Sequence, residues 1–514
     1  MNKKLYIELI VLFILGVLTS FSLPPFNYLV INFFTFTLFF LFLVKKSKQH
    51  KDLKFFFLYG WLFGFGYFIT NLYWISISLT FDQTFKYLIP ISIILIPAFL
   101  SLFYGFVSCF FIIFNSRTII SSFLIFSLSF GALEFLRGSL FTGFPWNLIS
   151  FSFFNHLEFL SIISILGTYG FNLFCISLFT SPAIYLLRET RRDVVFCSIF
   201  LFSIVLFYLY GFLYQSNFNK LDKKEHYYKI RVVGSNISLD RFYKNINTVS
   251  VIEDLIKLSN PNINEKTIFI WPEGIFPSIS QHEFKEYKSL FNEKFNKNHL
   301  IIVGINSQSL NNGAQKYYNS FSVYDNELNL LNAYNKINLV PFGEFLPFEK
   351  YLKKFGLKSV TNNYQSFSKG KQRKIIEIKQ KENSLKILPL ICYEIIYSGK
   401  LFDNPNFDFI INISEDGWFG QSIGPKQHFY HSIFRSIESG KYVIRSSNNG
   451  IAAIINPLGI VEQRVNFGNS GYIDFTDSKK IQPTIFSKYG NKIFGLLILL
   501  YIFLIFSFNR FNNE

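Results

Sequence analysis

The chain has 514 residues, half of them hydrophobic, with 68 Phe and a formal net charge of +17. Apolar and cationic excess together point to a membrane protein, and the modest Gly, Pro and Cys counts exclude collagen-like, disordered and disulfide-scaffold classes. No basic helix with interleaved aromatics is present, so a nucleic-acid partner is not expected.

In chain order, apolar runs fall near 6–23, 27–44, 54–79, 87–114, 118–136, 158–187 and 194–213, and a last one runs from Ile493 to Phe508. Most reach the roughly 20 residues needed to cross a bilayer; the first and last lie near the lower limit. The expected plan is a seven-span bundle over 1–214, a polar domain over 215–490 and an eighth helix in 491–514. With the N-terminus inside, Lys3, Lys4, Lys45, Lys46, Lys48, Lys51, Lys54, Arg117, Arg188, Arg191, Arg192 and Arg510 all fall on the inner face. Only Lys86 and Arg137 fall outside. That bias sets the orientation and places the polar domain outside the cytoplasm. The first run is followed by Ser20-Phe-Ser-Leu-Pro-Pro rather than a small-residue exit, so it is not read as a cleavable signal. Gly60, Gly64 and Gly66 mark a face for close helix packing. Glu134 and Arg137, three apart, read as a structural pair near the membrane edge.

In the polar domain, Lys229–Val233, Thr267–Trp271, Leu300–Gly304, Ser320–Tyr324, Leu385–Ile391, Phe409–Ile413 and Tyr442–Ser446 read as short buried strands, and Ile246–Leu258 as an amphipathic helix. Strands alternating with helical stretches predict an α/β or layered α+β domain.

Four places there carry candidate chemistry. Glu273 follows a strand in Trp271-Pro-Glu273-Gly274, either as a strand-end catalytic acid or as a solvated loop acid. Lys336, in Tyr334-Asn-Lys336 ahead of Pro341-Phe-Gly343-Glu344, is either paired to a buried carboxylate or structural. Cys392, in Ile391-Cys392-Tyr393-Glu394, ends an apolar strand and is either a nucleophile or an inert buried thiol. The fourth place is Glu415-Asp416-Gly417-Trp418-Phe419, then Gly424-Pro425-Lys426-Gln427-His428, then Arg435, Glu438, Arg445 and Asn448-Asn449-Gly450, with a helix starting after Pro425. His428 and His431 lie three apart on that helix, but no third ligand is visible and no metal is expected. A thiolate, a base and a cation are what acyl chemistry needs; Cys392, Glu273 and Lys336 are residues of those types.

The order Glu…Lys…Cys with these local sequences resembles the nitrilase superfamily. With the membrane plan added, nearly the whole chain resembles the apolipoprotein N-acyltransferase family. The matching stretches are Ser22-Leu-Pro-Pro-Phe26, Gly64-Phe-Gly-Tyr-Phe68 with Trp74, Glu134-Phe-Leu-Arg137 with Thr142-Gly-Phe-Pro-Trp146, and the four regions above. The resemblance implies an α-helical membrane bundle carrying a four-layer αββα domain on the periplasmic side of a bacterial inner membrane. It implies ping-pong acyl transfer from a phospholipid, through a Cys392 thioester, to the N-terminal amine of a diacylglyceryl-modified apolipoprotein. Glu273 would be the base, Lys336 the oxyanion partner and Glu344 the residue orienting Lys336. Tyr393 and Glu394 would sit beside the nucleophile. Trp146, Trp418 and Tyr243 are substrate-binding candidates, Trp146 being equally readable as an interfacial anchor. No cofactor is implied, and a monomer is expected. Two departures stand out: Gly234–Tyr243 is weaker than the family pattern, with Tyr243 in place of a Trp, and Lys426 also replaces a Trp. A membrane-tethered amidase using water keeps the same catalytic set and is the alternative. A transporter or receptor would need ionisable residues deep within spans, and these are nearly absent apart from Glu134.

Overall fold

The computed structural model describes residues 3–116, 118–244, 246–311, 314–352, 354, 366–379 and 384–510. Arg117, used above for orientation, lies outside them. The chain divides into two compact units, one of residues 1–76, 87–217 and 484–514, the other of residues 77–86 and 218–483.

The first unit is helical. Its elements are α1 (Lys3–Ser20), α2 (Val30–Ser47), α3 (Leu53–Leu72), α4 (Ile89–Phe114), α5 (Ile119–Arg137), the single turn α6 (Leu157–Leu160), α7 (Ile163–Leu187) and α8 (Arg191–Asn219). Its later helices appear near the end of the chain. Among the described residues, seven helices are long and apolar enough to cross a membrane. The first helix is not among them, because Lys3, Lys4 and Glu8 fall within its 18 residues. Its Glu8 pairs with Lys46 at the end of α2 at 2.7 Å. The expected boundary near 214 falls inside α8, which runs on to Asn219.

The glycines singled out in the sequence are contact points. A side chain at Gly60 or Gly64 would overlap Tyr104 of α4, and one at Gly66 would overlap the Phe13 carbonyl of α1. Gly16 of α1 meets the Phe63 carbonyl in the same way. With lipid as apolar as any side chain, such close approach is what holds helices together. Glu134 and Arg137 form the anticipated ion pair, both side chains fully buried. Arg137 also donates to the Asn147 carbonyl at 3.1 Å, and Tyr67 donates to the same oxygen at 3.2 Å. The pair thus pins the Phe144–Asn147 loop.

The second unit is built on β1 (Lys224–Ser235), β2 (Thr267–Ile270), β3 (Phe276–Ser280), β4 (His299–Asn311), β5 (Ala314–Asp325), β6 (Leu330–Asn335), β7 (Ile376–Lys379), β8 (Ser384–Ile391), β9 (Phe409–Glu415), β10 (Tyr442–Asn448), β11 (Ala452–Ile455), β12 (Val461–Val465) and β13 (Gly471–Ser478). The strand order is β6-β5-β4-β2-β1-β10-β9-β8-β7. β1 and β10 touch only at Gly234–Ser447 and Ser235–Asn448, so the ladder folds into two facing halves. Ile230, Ile270, Ile302 and Phe321 from one half and Ile387, Ile411, Ile444 and Ile454 from the other form a single buried cluster. Outside the first half, α9 (Thr248–Ser259) sets Ile252 and Leu255 against Phe269, Trp271 and Ile301. Outside the second, α10 (Gly424–Ser439) packs on β10 and β11. The result is the four-layer αββα sandwich. Buried strands on both faces explain the near-continuous apolar runs.

A short helix (Ile485–Tyr489) and α11 (Lys492–Arg510) return the chain to the helical unit, seven residues before the expected boundary at 490. Residues 77–86, between α3 and α4, group with the sandwich: a side chain at Gly420 would strike Ile77, and the Phe81 ring meets Trp418 edge-on at 5.9 Å.

Gly66→Val is expected to lower the unfolding midpoint of the detergent-solubilised protein, by roughly 1–3 kcal/mol of overpacking. Gly495→Ala, where no atom lies within 4 Å, should leave it unchanged or slightly raised. Thermal unfolding of the two variants side by side checks this.

Candidate active site

The parallel strands β2, β8, β9 and β10 end on one side of the sandwich, the side on which open α/β sheets place their ligands. Three residues beyond β2 is Glu273; directly after β6 is Lys336; directly after β8 is Cys392. The three residues named from the sequence are brought to one buried place.

Lys336 is 1 % exposed. Its ammonium donates to Glu273 Oε1 at 3.1 Å and to Glu344 Oε1 at 2.9 Å. Asn319, on β5, donates from one amide nitrogen to both of those oxygens, at 2.7 Å each. The second oxygen of Glu273 accepts from the Glu415 amide at 3.0 Å, and that of Glu344 from the Val340 amide at 2.9 Å. Gly304 lies against Glu273, where any side chain would overlap its Cα. Burial opposes the Lys336 charge, yet Glu273, Glu344 and the Cys392 thiolate outweigh it and hold its pKa above the ordinary lysine value. Burial raises the pKa of Glu344 despite the neighbouring ammonium.

Cys392 begins a one-turn 3-10 helix, Cys392–Ile396, with φ +48°. Its thiol pKa is pushed well above the usual value, first by burial and then by the Glu273 carboxylate, with Lys336 pulling the other way. The resting group is therefore a thiol at neutral pH. Attack on a carbonyl would have to be coupled to removal of the proton, and Glu273 is the carboxylate whose charge acts most strongly on the thiol.

Glu394 ties the nucleophile's turn to the lysine loop. Its Oε1 accepts from the Tyr334 hydroxyl at 2.7 Å and from the amides of Ile337 and Asn338 at 3.0 and 3.2 Å. Its Oε2 accepts from the Ile391 amide at 3.0 Å. Arg373 supplies a cation at 3.2 Å. Burial works against the carboxylate, but Arg373 and these donors hold its pKa below the ordinary value. Glu394 thus clasps residues on both sides of Lys336. Tyr393 is buried, its ring edge-on to Tyr397 at 5.6 Å.

A second buried network lies on the other side of Cys392. The Cys392 sulfur, an Asp416 oxygen and a His428 nitrogen all lie within 4.8 Å of one another. The grouping leaves out His431, so it does not complete the His428–His431 pair considered in the sequence. The Asp416 charge is already balanced: Arg445 reaches its two oxygens at 3.0 and 2.8 Å and also approaches His428 Nδ1 at 3.1 Å. The Arg445–Asp416 pair is fully buried. A further cation there would have to displace a paired guanidinium. Asp416 is pulled far below the usual carboxylate range: burial opposes its charge, and Arg445 and His428 overcome that. Burial, with Arg445, lowers the pKa of His428 and keeps it neutral. His428 Nε2 stands 3.3 Å from the Cys392 carbonyl, and Asn412 donates to the same oxygen at 3.4 Å. The network holds the backbone of the nucleophile. His431 is buried on the same helix and takes no part in that grouping.

Trp418 and Tyr243 come together, rings at 6.3 Å, with Phe242 at 5.0 Å from Trp418. Trp146 belongs to the helical unit. It is 2 % exposed, packed against Trp74 at 4.9 Å and lying parallel to Phe144 at 6.0 Å. Asn319 and Arg373 were not anticipated. Asn319 stands in a strand read only for its apolar alternation, and Arg373 follows a stretch with no periodicity.

A buried, positive-φ cysteine stands at a strand end of an αββα sandwich, within electrostatic reach of Glu273 and Lys336. Residues 15–181 match the apolipoprotein N-acyltransferase N-terminal domain, and residues 267–476 match the carbon-nitrogen hydrolase domain. Among relatives, the apolipoprotein N-acyltransferase of Rhodopseudomonas palustris is 30 % identical over 95 % of this chain and 93 % of its own. That of Rhizobium leguminosarum is 30 % identical over 90 % and 88 %. Among solved structures, an amidase of the nitrilase superfamily from Nesterenkonia covers 50 % of this chain and 92 % of its own, at 12 % identity and a TM-score of 0.34. The chain belongs to the apolipoprotein N-acyltransferase family, and it is a multi-pass membrane protein.

Glu394→Gln turns an amide N–H toward a donor that now faces a carboxylate, and it leaves Arg373 without its anion. Breaking such a buried pair costs about 3 kcal/mol, so a lowered unfolding midpoint and a loss of Cys392-dependent activity are expected together. For Cys392 itself, alkylation by iodoacetamide should be slow at pH 7 and climb about tenfold per pH unit through pH 9. A plateau near neutrality would contradict the raised pKa.

Proposed function

We propose that the chain moves a fatty acyl group from a phospholipid to the N-terminal amine of a diacylglyceryl-cysteine on an apolipoprotein, through a thioester on Cys392. The observation that carries this reading is the buried Glu273–Lys336–Cys392 constellation in a chain of this family.

In the first half-reaction Glu273 takes the thiol proton as Sγ attacks the ester carbonyl carbon. The Lys336 ammonium, fixed between two carboxylates, offers its charge to the oxyanion. The C–O bond then breaks, the proton passes to the departing lysophospholipid oxygen, and the thioester remains. In the second, the acceptor amine attacks the thioester carbon and gives its proton to Glu273. The C–S bond breaks and the thiol is restored, with the acyl group left in an amide. Glu344 and Asn319 keep Lys336 and Glu273 aimed throughout. No step calls for a metal or a diffusible cofactor.

We place residues 1–76, 87–217 and 484–514 in a bacterial inner membrane and residues 77–86 and 218–483 on its periplasmic side, as a monomer. The lysine and arginine bias supports the orientation. So does α1: its Gly16 and Gly66 contacts lay it along the spanning helix α3, and its one acidic residue is neutralised by Lys46. At 18 residues it is about 27 Å long.

A lipid acyl donor is favoured over the water-using amidase alternative by the loop that carries Glu344. Phe342, Phe348 and Tyr351 are 53, 76 and 64 % exposed there. Water has no use for such a surface; acyl chains do. Trp418 and Tyr243, joined by Phe242 and Phe81, form a second aromatic cluster suited to lipid.

Intact mass of the full-length protein after incubation with phospholipid tests the reading. Wild type should gain one hydroxylamine-labile acyl group, and Cys392→Ala none. Glu273→Gln and Lys336→Met should each slow its appearance at least about 100-fold. A diacylated lipopeptide added next should discharge the adduct onto its amine. Absence of any adduct on folded wild type, across several phospholipids, would sink the mechanism.

A further inference from the structure

The catalytic residues occupy the C-terminal ends of the parallel strands. A cavity of about 540 Å³ lies at the other end. Asp408 directly precedes β9, Lys441 directly precedes β10, and Lys224 opens β1; all three line it. Along β9, seven residues at about 3.3 Å each separate this end from Asp416 by about 25 Å. The cavity is therefore not part of the thiol site.

Its distinctive wall is Lys441. This lysine is 7 % exposed, and its ammonium stands 5.4 Å over the Phe407 ring. Among the described residues no carboxylate lies within ion-pair distance of it. The nearest candidate is already engaged: Asp408 accepts from the Lys386 amide at 3.0 Å through one oxygen and from Lys480 at 3.4 Å through the other. Its side chain is largely covered, and burial, with Lys480 nearby, lowers its pKa. Lys224, Lys480, Asp222 and the side-chain amides of Asn404, Asn406 and Gln482 also line it, beside apolar residues. Three lysines against Asp222 and Asp408 leave the lining net cationic, and the amides add donors, a composition suited to an oxyanion. The volume lies in the range of small-molecule sites.

We propose that this cavity binds a phosphate group, carried on a phospholipid head group or as a free phosphate, with Lys441 as its principal partner. The site is independent of the acyl-transfer reading and stands or falls separately from it.

The test uses full-length Cys392→Ala protein in maltoside micelles, so that no lipid is consumed. The 31P line width is followed on titration with inorganic phosphate in one arm and dihexanoyl phosphatidylglycerol in the other. Saturable broadening is expected, weakened about tenfold or more by Lys441→Met, as for loss of one charged hydrogen bond. Lys480→Gln, at an exposed residue, should weaken it less and keeps the test open if Lys441→Met does not fold. Broadening in the lipid arm alone assigns the site to a head group; broadening in the inorganic arm alone assigns it to free phosphate. No broadening in either arm, or broadening that both substitutions leave unchanged, overturns the proposal.

Discussion

The site rests on one buried cation. Lys336 sits between Glu273 and Glu344 with almost no access to water, and removing it would leave two carboxylates buried side by side without a cation. The rest of the domain can be read as a frame for that contact. Asn319 bridges the two carboxylates from β5. Glu415, at the end of β9, supplies a backbone donor to Glu273. Glu394 grips the lysine loop from the nucleophile's turn. Four strands and two loops converge on about one ammonium's worth of charge.

This arrangement also divides the labour between the two sides of Cys392. On one side Lys336 is held between Glu273 and Glu344. On the other, Asp416 and Arg445 form a buried ion pair against His428, which burial and Arg445 keep neutral. The turn that carries the thiol is fixed from both sides.

Much of this was legible beforehand. Strands with continuous apolar runs, such as Thr267–Trp271 and Leu385–Ile391, announce themselves because both faces are buried. The short edge and hairpin strands β3, β6, β7, β11, β12 and β13 did not: several alternate exposed polar residues with few apolar ones, and β7 and β12 are held in place largely by a neighbouring strand. Glu273 and Cys392 were readable because each closely follows an apolar strand, and Lys336 because aromatic and apolar residues flank it. Arg373 and Asn319 were not, since their roles come from long-range convergence that no local pattern encodes. The helical boundaries shifted for a similar reason: α8 keeps its hydrogen bonds past the end of its apolar run, and residues 77–86 are claimed by aromatic packing on Trp418.

The left-handed backbone of Cys392 sets stability against function. An L-residue with φ +48° carries a conformational cost of about 1 kcal/mol that glycine would not. Selection for a sturdier domain alone would therefore discard the thiol. Laboratory evolution toward thermostability, run without an activity screen, would be free to replace Cys392 by glycine and lose the thiol with it.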